Sequence, residues 1–423
     1  MRQMKDSGIE WIKQIPTGWS TTRGKNILQL MKRPPEADDE VITCFRDGEV
    51  TLRRNRREEG FTFSDKEIGY QGIKKGDLVV HGMDGFAGAI GISDSDGKGS
   101  PVLVVCTTKE NTRYLMYYLR TLAIQDVFLA LATGIRERSC DLRWNKIADL
   151  LFPVPELNEQ CRIVDYLDRK CSQIDAIIAR QQEVIEKLKA YKLSIITEAV
   201  TKGLNPDVPM KDSGVEWIGE IPDHWRLIKL KNIVGISDGT HDTPAYVDIS
   251  ETSHPLVTSK CIVNGKIDPS LGNHISQDDY DEINKRSKVH LYDVIMPMIG
   301  TVGNPALVLE EPNFAIKNVA LLKTRGSLEL GKFVLYLLSS NLATVQFDKI
   351  NRGGVQSFIS QEKLKNMIFT LPDSMSEIVV FLDKKIAAID NVIKQKQMLI
   401  DKLVDWKKSL IYEVVTGKKE VKV

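Results

Sequence analysis

A long internal repeat constrains the fold of this 423-residue chain more than any other feature. Residues 4–27 read MKDSGIEWIKQIPTGWSTTRGKNI and residues 210–233 read MKDSGVEWIGEIPDHWRLIKLKNI, with fourteen of twenty-four positions identical. The copies start about two hundred residues apart, whereas the repeats of solenoids and propellers are roughly 20–50 residues long. Each copy is therefore predicted to be the size of a domain, and the chain is predicted to be a pseudo-dimer.

Shorter matches follow in the same order in both copies. Asp77-Leu-Val-Val matches Asp293-Val-Ile-Met, and Tyr114-Leu-Met-Tyr-Tyr-Leu matches Phe333-Val-Leu-Tyr-Leu-Leu. Apolar runs bounded by Gly, Asp and Asn, as at 77–81 and 318–322, predict strands, while 114–123 and 332–339 predict helices. Each globular unit is therefore predicted to belong to the α+β class.

Each copy ends in a stretch whose apolar residues repeat every seven positions. The a positions of the first copy are Val164, Cys171, Ile178, Ile185, Lys192 and Ala199, and its d positions are Leu167, Ile174, Gln181, Leu188 and Ile195. The same register recurs 215 residues later, from Val379 to Val414. Neither stretch contains Pro or Gly, so the pattern predicts two coiled-coil helices of about 40 residues, each about 60 Å long.

Such helices are too long to be buried in one domain, and we expect them to pack antiparallel about a pseudo-two-fold axis. The pair would then be a spacer between the globular units. Gln181 and Lys396 are polar d residues in the middle of the two seams, where a buried polar layer would fix the register. Exposure of both side chains to solvent is the open alternative. The predicted segments are a globular unit at 1–153, a helix at 154–203, a globular unit at 204–371, a helix at 372–417 and a tail at 418–423.

Composition and motifs exclude several classes of protein. The chain is 42% hydrophobic and 27% charged, without a membrane-length apolar run or a signal peptide, so a cytoplasmic location is expected. Its six cysteines and six histidines show no metal-ligand spacing, so no metal is expected. Phosphate loops, nucleophile elbows and zinc-protease motifs are absent. No catalytic residue is therefore predicted.

Basic clusters are the candidates for contacts with DNA, although the formal net charge is only +1. A solvated loop is the alternative for the Arg53 cluster taken alone. Clusters in both copies favour DNA, because Arg, Gln and Ser can bind phosphates or base edges. The candidates are Arg46, Arg53, Arg54, Arg56, Arg57, Arg136 and Arg138 in the first copy, and Lys285, Arg286, Lys288, Arg352, Gln356 and Ser357 in the second. Those at 46–57 and 285–288 are assigned to loops.

The chain closely resembles the specificity subunits of type I restriction-modification systems over essentially its whole length. The resemblance is carried by the Lys-Asp-Ser-Gly-Ile/Val-Glu-Trp-Ile opening, by the helix ends EAVTKG (198–203) and EVVTG (413–417), and by the join GLNPDVPMKDSG (203–214). The first long helix opens with PELNEQ (155–160), similar to the family's pattern. The second opens with PDSMSE (372–377), which is two residues shorter on the heptad alignment and lacks Gln, so its contacts are left open.

The resemblance implies a non-catalytic subunit with two target-recognition domains, each reading one half of a bipartite, asymmetric DNA site. It implies that the helices set the gap between the half-sites, of the order of 34 Å. Two methyltransferase subunits would supply S-adenosylmethionine and adenine-N6 methylation, and two restriction-translocation subunits, using ATP and Mg²⁺, can join them. No cofactor is expected on this chain. A coiled-coil scaffold without sequence-specific DNA binding remains the alternative.

Overall fold

The structure is a computed structural model that describes residues 2–56, 68–130, 142–300, 302–351 and 358–422. The chain forms two compact units. The first unit comprises Met1–Gln181 and Met398–Val423, and the second unit comprises Gln182–Gln397. Each unit thus includes part of both long helices, and the boundaries predicted between helices and globular domains stay predictions.

The first unit combines short strands with helices. Its strands are β1 (Met4–Asp6), β2 (Gln14–Pro16), β3 (Ser20–Arg23), β4 (Leu28–Leu30), β5 (Ile42–Cys44), β6 (Val50–Leu52), β7 (Gln71–Ile73), β8 (Leu78–His81), β9 (Ile90–Ile92), β10 (Gly97–Gly99), β11 (Leu103–Thr108) and β12 (Leu151–Val154). Its helices are α1 (Gly24–Ile27), α2 (Thr112–Ile124), α3 (Val127–Ala130), α4 (Trp144–Asp149) and the first part of α5 (Leu157–Lys202).

A four-stranded antiparallel sheet in the order β4-β11-β8-β9 lies at the centre of the first unit. Helix α2 contributes buried residues to the same apolar core as this sheet. Buried Asp77 closes the turn before β8, because its carboxylate accepts a 2.8 Å hydrogen bond from the backbone N–H of Lys74. The side chain of Asn111 caps α2 by accepting hydrogen bonds from the N–H groups of Arg113 and Tyr114. The strand predicted at 77–81 and the helix predicted at 114–123 are both confirmed.

The second unit has its own strands and helices. The strands are β13 (Met210–Asp212), β14 (Glu220–Pro222), β15 (Arg226–Lys229), β16 (Gly235–Asp238), β17 (His254–Val257), β18 (Ile262–Val263), β19 (Lys266–Ile267), β20 (Asn273–Ile275), β21 (Val294–Pro297), β22 (Ala306–Leu307), β23 (Ala315–Ile316), β24 (Val319–Lys323) and β25 (Ile368–Leu371). The helices are α6 (Gln277–Ser287), α7 (Leu328–Ser339), α8 (Asn341–Asn351), α9 (Gln361–Lys365) and α10 (Met375–Val415), whose residues from 398 belong to the first unit.

The central sheet of the second unit has the strand order β16-β24-β21-β22, so its strands follow one another as in the first unit. Buried Asp293 precedes β21 and accepts a 2.9 Å hydrogen bond from the N–H of His290, as Asp77 does from Lys74. The second unit also contains a three-stranded sheet, β20-β17-β23, with one parallel pair. Antiparallel sheets with separate helices agree with the predicted α+β class. The pseudo-two-fold relation between the units stays a prediction.

The heptad pattern correctly predicted two long helices. Helix α5 has 46 residues and α10 has 41, which corresponds to about 69 Å and about 62 Å at 1.5 Å per residue. Every a and d residue of both seams is buried or half-buried. No helix in the described ranges has an apolar stretch long enough to cross a bilayer.

Within the first unit, the parts of α5 and α10 run antiparallel. The Tyr114 hydroxyl lies 2.8 Å from the carbonyl oxygen of Pro153, just before α5, and 3.0 Å from that of Val415, at the end of α10. Further along α5, Asp175 accepts a hydrogen bond of 2.6 Å from Lys407 Nζ. Residues near the start of α5 therefore lie beside the end of α10, and later residues of α5 lie beside earlier residues of α10.

The same direction holds within the second unit. Thr370, before α10, donates a hydrogen bond to the carbonyl of Val200 near the end of α5, and Lys192 Nζ lies 2.8 Å from the carboxylate of Asp390. Lys192 and Lys407 are both a residues, and each pairs with an Asp at an e position. These ion pairs replace apolar contacts at two layers of the seams. The predicted meeting of Gln181 with Lys396 stays a prediction, because the two residues belong to different units.

Candidate nucleic-acid interface

The β5–β6 hairpin positions most of the arginines predicted in the first copy. Arg46 lies in the hairpin turn, and Arg53 and Arg54 lie in a short 3-10 turn that follows β6. The side chains of Arg46 and Arg54 are 59% and 63% exposed. Arg56 is less exposed and lies over the ring of Phe45, at 4.3 Å from its centroid. Arg53 is half-buried.

Carboxylates hold these exposed arginines in place. Arg46 bonds Asp84 at 2.8 Å and Arg54 bonds Glu40 at 2.7 Å. Arg56 bonds Asp47 and Glu49, at 2.7 and 3.1 Å. Exposed ion pairs contribute only about 0–1 kcal/mol, so a DNA phosphate can displace such a carboxylate at little cost. The predicted cluster is thus pre-oriented and largely neutralised.

Other predicted contacts lie outside the described residues. These are Arg57, Arg136 and Arg138 in the first copy, and Arg352, Gln356 and Ser357 in the second. Their assignment to DNA contacts stays a prediction.

The structure corrects the predicted loop at 285–288, because Lys285 and Arg286 form the last turn of helix α6 and Lys288 follows it. Ser276 caps this helix by accepting a 3.2 Å hydrogen bond from the N–H of Asp279. Acidic residues in the first turn and basic residues in the last turn match the helix dipole. The sequence pattern Ser-x-x-Asp indicates the N-terminal cap of this helix. The helix was nevertheless missed, because it has few apolar residues and so no apolar periodicity.

The second unit contains a polar cluster that the sequence reasoning missed. Its centre is the carboxylate of Asp238, at the end of β16, which accepts hydrogen bonds of 3.0 Å from both Arg286 and His241. The other ring nitrogen of His241 lies 2.9 Å from Oδ1 of Asn318. We call Asp238, His241, Arg286 and Asn318 the Asp238 cluster. Its residues come from three separate parts of the chain, and only the short segment Asp238-Gly-Thr-His241 could have signalled it.

The Asp238 cluster favours a positively charged histidine. Both ring nitrogens of His241 face oxygen acceptors, so the imidazolium form, which has two N–H donors, satisfies both contacts. The hydrogen bonds to Asn318 and to Asp238 raise the pKa of His241 above its ordinary value. The Arg286 side chain is 74% exposed. Arg286, and His241 in its protonated form, therefore present positive charge to solvent around one shielded carboxylate.

A cleft of about 870 Å³ in the first unit is lined by Arg46, Arg113, Arg120, Lys407 and Lys408, together with acidic and apolar residues. Arg120 is half-buried and makes no salt bridge with any described residue. Burial lowers its pKa, since desolvation disfavours the charged guanidinium. Its Nη1 lies against Gly48, where an added Cβ would be 1.8 Å away.

No protein-family model matches the chain. A curated relative is the type I restriction enzyme EcoBI specificity subunit of Escherichia coli, 25% identical over 257 residues. That alignment covers 59% of this chain but only about half of the relative, at 54% of its length. A second is the type I restriction enzyme MjaVIII specificity subunit of Methanocaldococcus jannaschii, 24% identical over 399 residues, which are 91% of this chain and 89% of the relative.

The chain is a relative of type I restriction enzyme specificity subunits. The fold agrees with a chain in a solved structure described as the basis of complex assembly and conformational transition of the type I R-M system. The TM-score is 0.70 at 14% identity, over 96% of this chain and 99% of the other. At this identity the likeness concerns the fold alone. The resemblance to type I specificity subunits, inferred from the repeated opening and the helix ends, is confirmed.

Proposed function

We propose that this chain is the sequence-specific DNA-binding subunit of a type I restriction-modification complex. It reads a bipartite, asymmetric site, one half with each unit, and directs adenine methylation and restriction by its partners. The observation that carries the proposal is the relationship to a specificity subunit along nine-tenths of the chain. The chain itself is not an enzyme in this proposal. S-adenosylmethionine belongs to the methyltransferase partners, and ATP with Mg²⁺ belongs to the restriction partners.

Basic residues in both units support DNA binding. In the first unit, Arg46, Arg54 and Arg56 would exchange their carboxylate partners for phosphates or base edges. In the second unit, Arg286 and His241 would keep Asp238 as a common anchor and present their remaining surface to the duplex. Guanidinium groups oriented in this way suit bidentate contacts with guanine, worth about 1–3 kcal/mol of discrimination each. Phosphate contacts would add affinity that falls with salt.

Exposed apolar residues on the long helices support docking of the methyltransferase partners. Tyr191 on α5 is 56% exposed and Trp406 on α10 is 50% exposed, and they are separated by the 215 residues of the repeat. Both are g positions, which also include Ile177 and Val184 on α5, and Val392 and Leu399 on α10. We call the apolar g positions of each long helix its g stripe. In a two-helix coiled coil the g positions are usually charged, whereas a helix packed on several neighbours is apolar at a third heptad position.

The g stripe is therefore proposed to bind helices of the methyltransferase subunits. Aromatic residues such as Tyr191 and Trp406 are enriched among those that dominate binding energy. The test is co-purification of the methyltransferase with a chain carrying Tyr191→Glu and Trp406→Glu. We expect loss of the partner with the fold retained. Val380→Glu is the matched control, because Val380 is 65% exposed on α10 but lies outside the stripe. Full retention of the partner by the double variant would refute this surface.

The DNA-reading role is tested by methylome sequencing of cells that express the chain with a type I methyltransferase. We expect N6-methyladenine on both halves of one new split motif, which disappears when the chain is omitted. Assembly of a soluble complex without new methylation, and without sequence preference in DNA selection, would leave the scaffold as the better account. Shortening both long helices together by one heptad should change the gap and leave both half-sequences intact.

A further inference from the structure

One carboxylate of the first long helix is bonded twice by the same neighbouring helix. In the first unit, Oδ1 of Asp168 on α5 accepts hydrogen bonds of 2.7 Å from Nε of Arg113 and 2.7 Å from the hydroxyl of Tyr117. Arg113 and Tyr117 are four residues apart on α2, so they lie on one face of it. The Asp168 side chain is 34% exposed. This three-residue contact joins the globular part of the unit to its long helix.

The second unit contains the same contact. Oδ1 of Asp383 on α10 accepts a 2.5 Å hydrogen bond from the hydroxyl of Tyr336, and Oδ2 accepts a 2.5 Å bond from Nζ of Lys332. Lys332 and Tyr336 are also four residues apart, on α7. The Asp383 side chain is 35% exposed, close to the value for Asp168. We call each set of three residues a clamp.

The two clamps occupy corresponding places in the repeat. Asp168 and Asp383 are 215 residues apart and are both heptad e residues, while the residues of α2 and α7 are offset by 219. Outside the clamps, the two copies differ in most of their sequence and in the arrangement of their smaller sheets. The clamp nevertheless keeps its acid, its tyrosine and a cation, with Arg exchanged for Lys. The same three types of contact, kept in two copies whose other sequences differ, indicate a shared task rather than incidental surface pairing.

That task follows from what the clamp connects. Helices α2 and α7 share an apolar core with the central sheet of their own unit, and the long helix beside each acid contributes to that core, for example through Leu167 and Leu382. The hydrophobic effect is non-directional, whereas two charge-assisted hydrogen bonds to one carboxylate fix both distance and direction. Burial and the hydrogen bond to Asp383 raise the pKa of Tyr336, and burial and the bond to Asp168 raise that of Tyr117. Both tyrosines thus remain donors at any physiological pH.

We propose that Asp168 and Asp383 are positioning residues that fix the angle of each DNA-reading unit on its long-helix segment, and thereby restrict the complex to one gap length. This inference rests on the proposed function. Successive base pairs are about 3.4 Å apart along the duplex and are rotated by about one tenth of a helical turn. A unit reaches a neighbouring gap only if it both shifts by that distance and turns with the duplex, so fixing its angle excludes such gaps. The clamps touch no DNA in this proposal and act through the pose of the unit.

The test uses Asp168→Asn and Asp383→Asn, each with a control one heptad further along the same helix. The controls are Asp175→Asn and Asp390→Asn, which remove an exposed ion pair between α5 and α10 without touching α2 or α7. Each variant is assembled with the methyltransferase and given plasmids whose half-sites are separated by the wild-type gap, or by one base pair more or less. The wild-type complex and both controls should methylate the wild-type gap at least tenfold faster than its neighbours.

The clamp variants should lose at least threefold of that preference while reading the same half-sequences. Tyr117→Phe and Tyr336→Phe, which keep the ion pair and the ring, should give a smaller loss and serve if an Asn variant does not assemble. An assembled clamp variant with an unchanged gap preference would overturn the inference. Wild-type failure to methylate any split site would instead contradict the proposed function. In that case hydrogen exchange tests the clamp without methylation. Unchanged amide exchange in the first turn of α2 in the Asp168→Asn variant would refute the positioning role.

Discussion

Glu159, in the first turn of α5, is expected to make the stability of the first unit depend on pH. Its carboxylate accepts hydrogen bonds of 2.5 and 2.9 Å from the two terminal nitrogens of Arg2, and one of 3.1 Å from the indole N–H of Trp19. The side chains of Arg2 and Glu159 are only 26% and 19% exposed. Glu159→Gln keeps an acceptor for Trp19 but removes the charge that faces Arg2. Because hydrogen bonds to charged groups contribute about 1.5–3 kcal/mol, we expect a loss of about 1–2 kcal/mol at pH 7.

The loss should disappear in acid. Burial opposes ionisation of Glu159 and is the largest single effect. The hydrogen bonds from Arg2 and Trp19, together with the charges of Arg2 and Arg162, outweigh it and hold the pKa of Glu159 below its ordinary value. The stabilisation is therefore complete above the unfolded-state pKa of about 4.3 and is lost as the pH falls through the lower folded-state pKa. Native-state hydrogen exchange of the β1–β2 hairpin, measured at pH 7 and near pH 3, reports the opening free energy of this unit alone.

Asp149→Asn is the matched control for this measurement. It breaks the ion pair with Arg23, which is 3.3 Å long and has both side chains more than half exposed. Such a pair should contribute less than about 0.5 kcal/mol at either pH. The reasoning is refuted if Glu159→Gln costs the same at both pH values, or no more than Asp149→Asn at pH 7.

Three further predictions concern single positions. If Arg54 contacts a phosphate, Arg54→Ala should weaken binding to all DNA sequences alike, and the slope of log K against log salt, measured by titration, should fall by about 1. If Arg54 contacts a base, the loss should be confined to sites that carry that base. Gly48→Ala should destabilise the first unit by about 1–3 kcal/mol, since Gly48 has φ +93° and faces Arg120, whereas Gly18→Ala meets nothing within 4 Å. DNA affinity should rise as the pH falls through the raised pKa of His241, and His241→Gln should flatten that profile; an identical profile in both proteins would exclude the imidazolium.

The large features of the fold could be predicted because they depend on local pattern. Apolar residues repeating every seven positions, without Pro or Gly, predicted both long helices. Short apolar runs such as 77–81 predicted strands of the central sheets. Helix α6 was missed because Tyr280 and Ile283 are almost its only apolar residues, so its capping signal had no periodicity to support it. The Gln160 of the first helix opening was recognisable, but its role was not. It is fully buried and bonds the N–H of Asn111 and the carbonyl of Pro155, both at 2.9 Å.

The candidate site was less predictable, because its geometry joins distant parts of the chain. Arginine positions such as Arg46 and Arg54 could be named from composition, but their partners Asp84 and Glu40 depend on how the hairpin folds. The clamps are the clearest example. Asp168 and Asp383 look like ordinary solvent-facing e residues of a coiled coil, and only the packing of α2 and α7 gives them partners.

The division of the chain into units also determines the order in which they can be completed. The second unit is one continuous segment, whereas the first needs residues 398–423. Leu410, Ile411, Val414 and Val415 are buried in the core of the first unit, and they are translated after the whole of the second unit. The earlier part of the first unit must therefore wait, with an apolar surface uncovered, until the second unit has been synthesised. The second unit can close earlier, so a chain stalled before the last part of α10 emerges would carry one finished unit and one that is a substrate for chaperones and proteases.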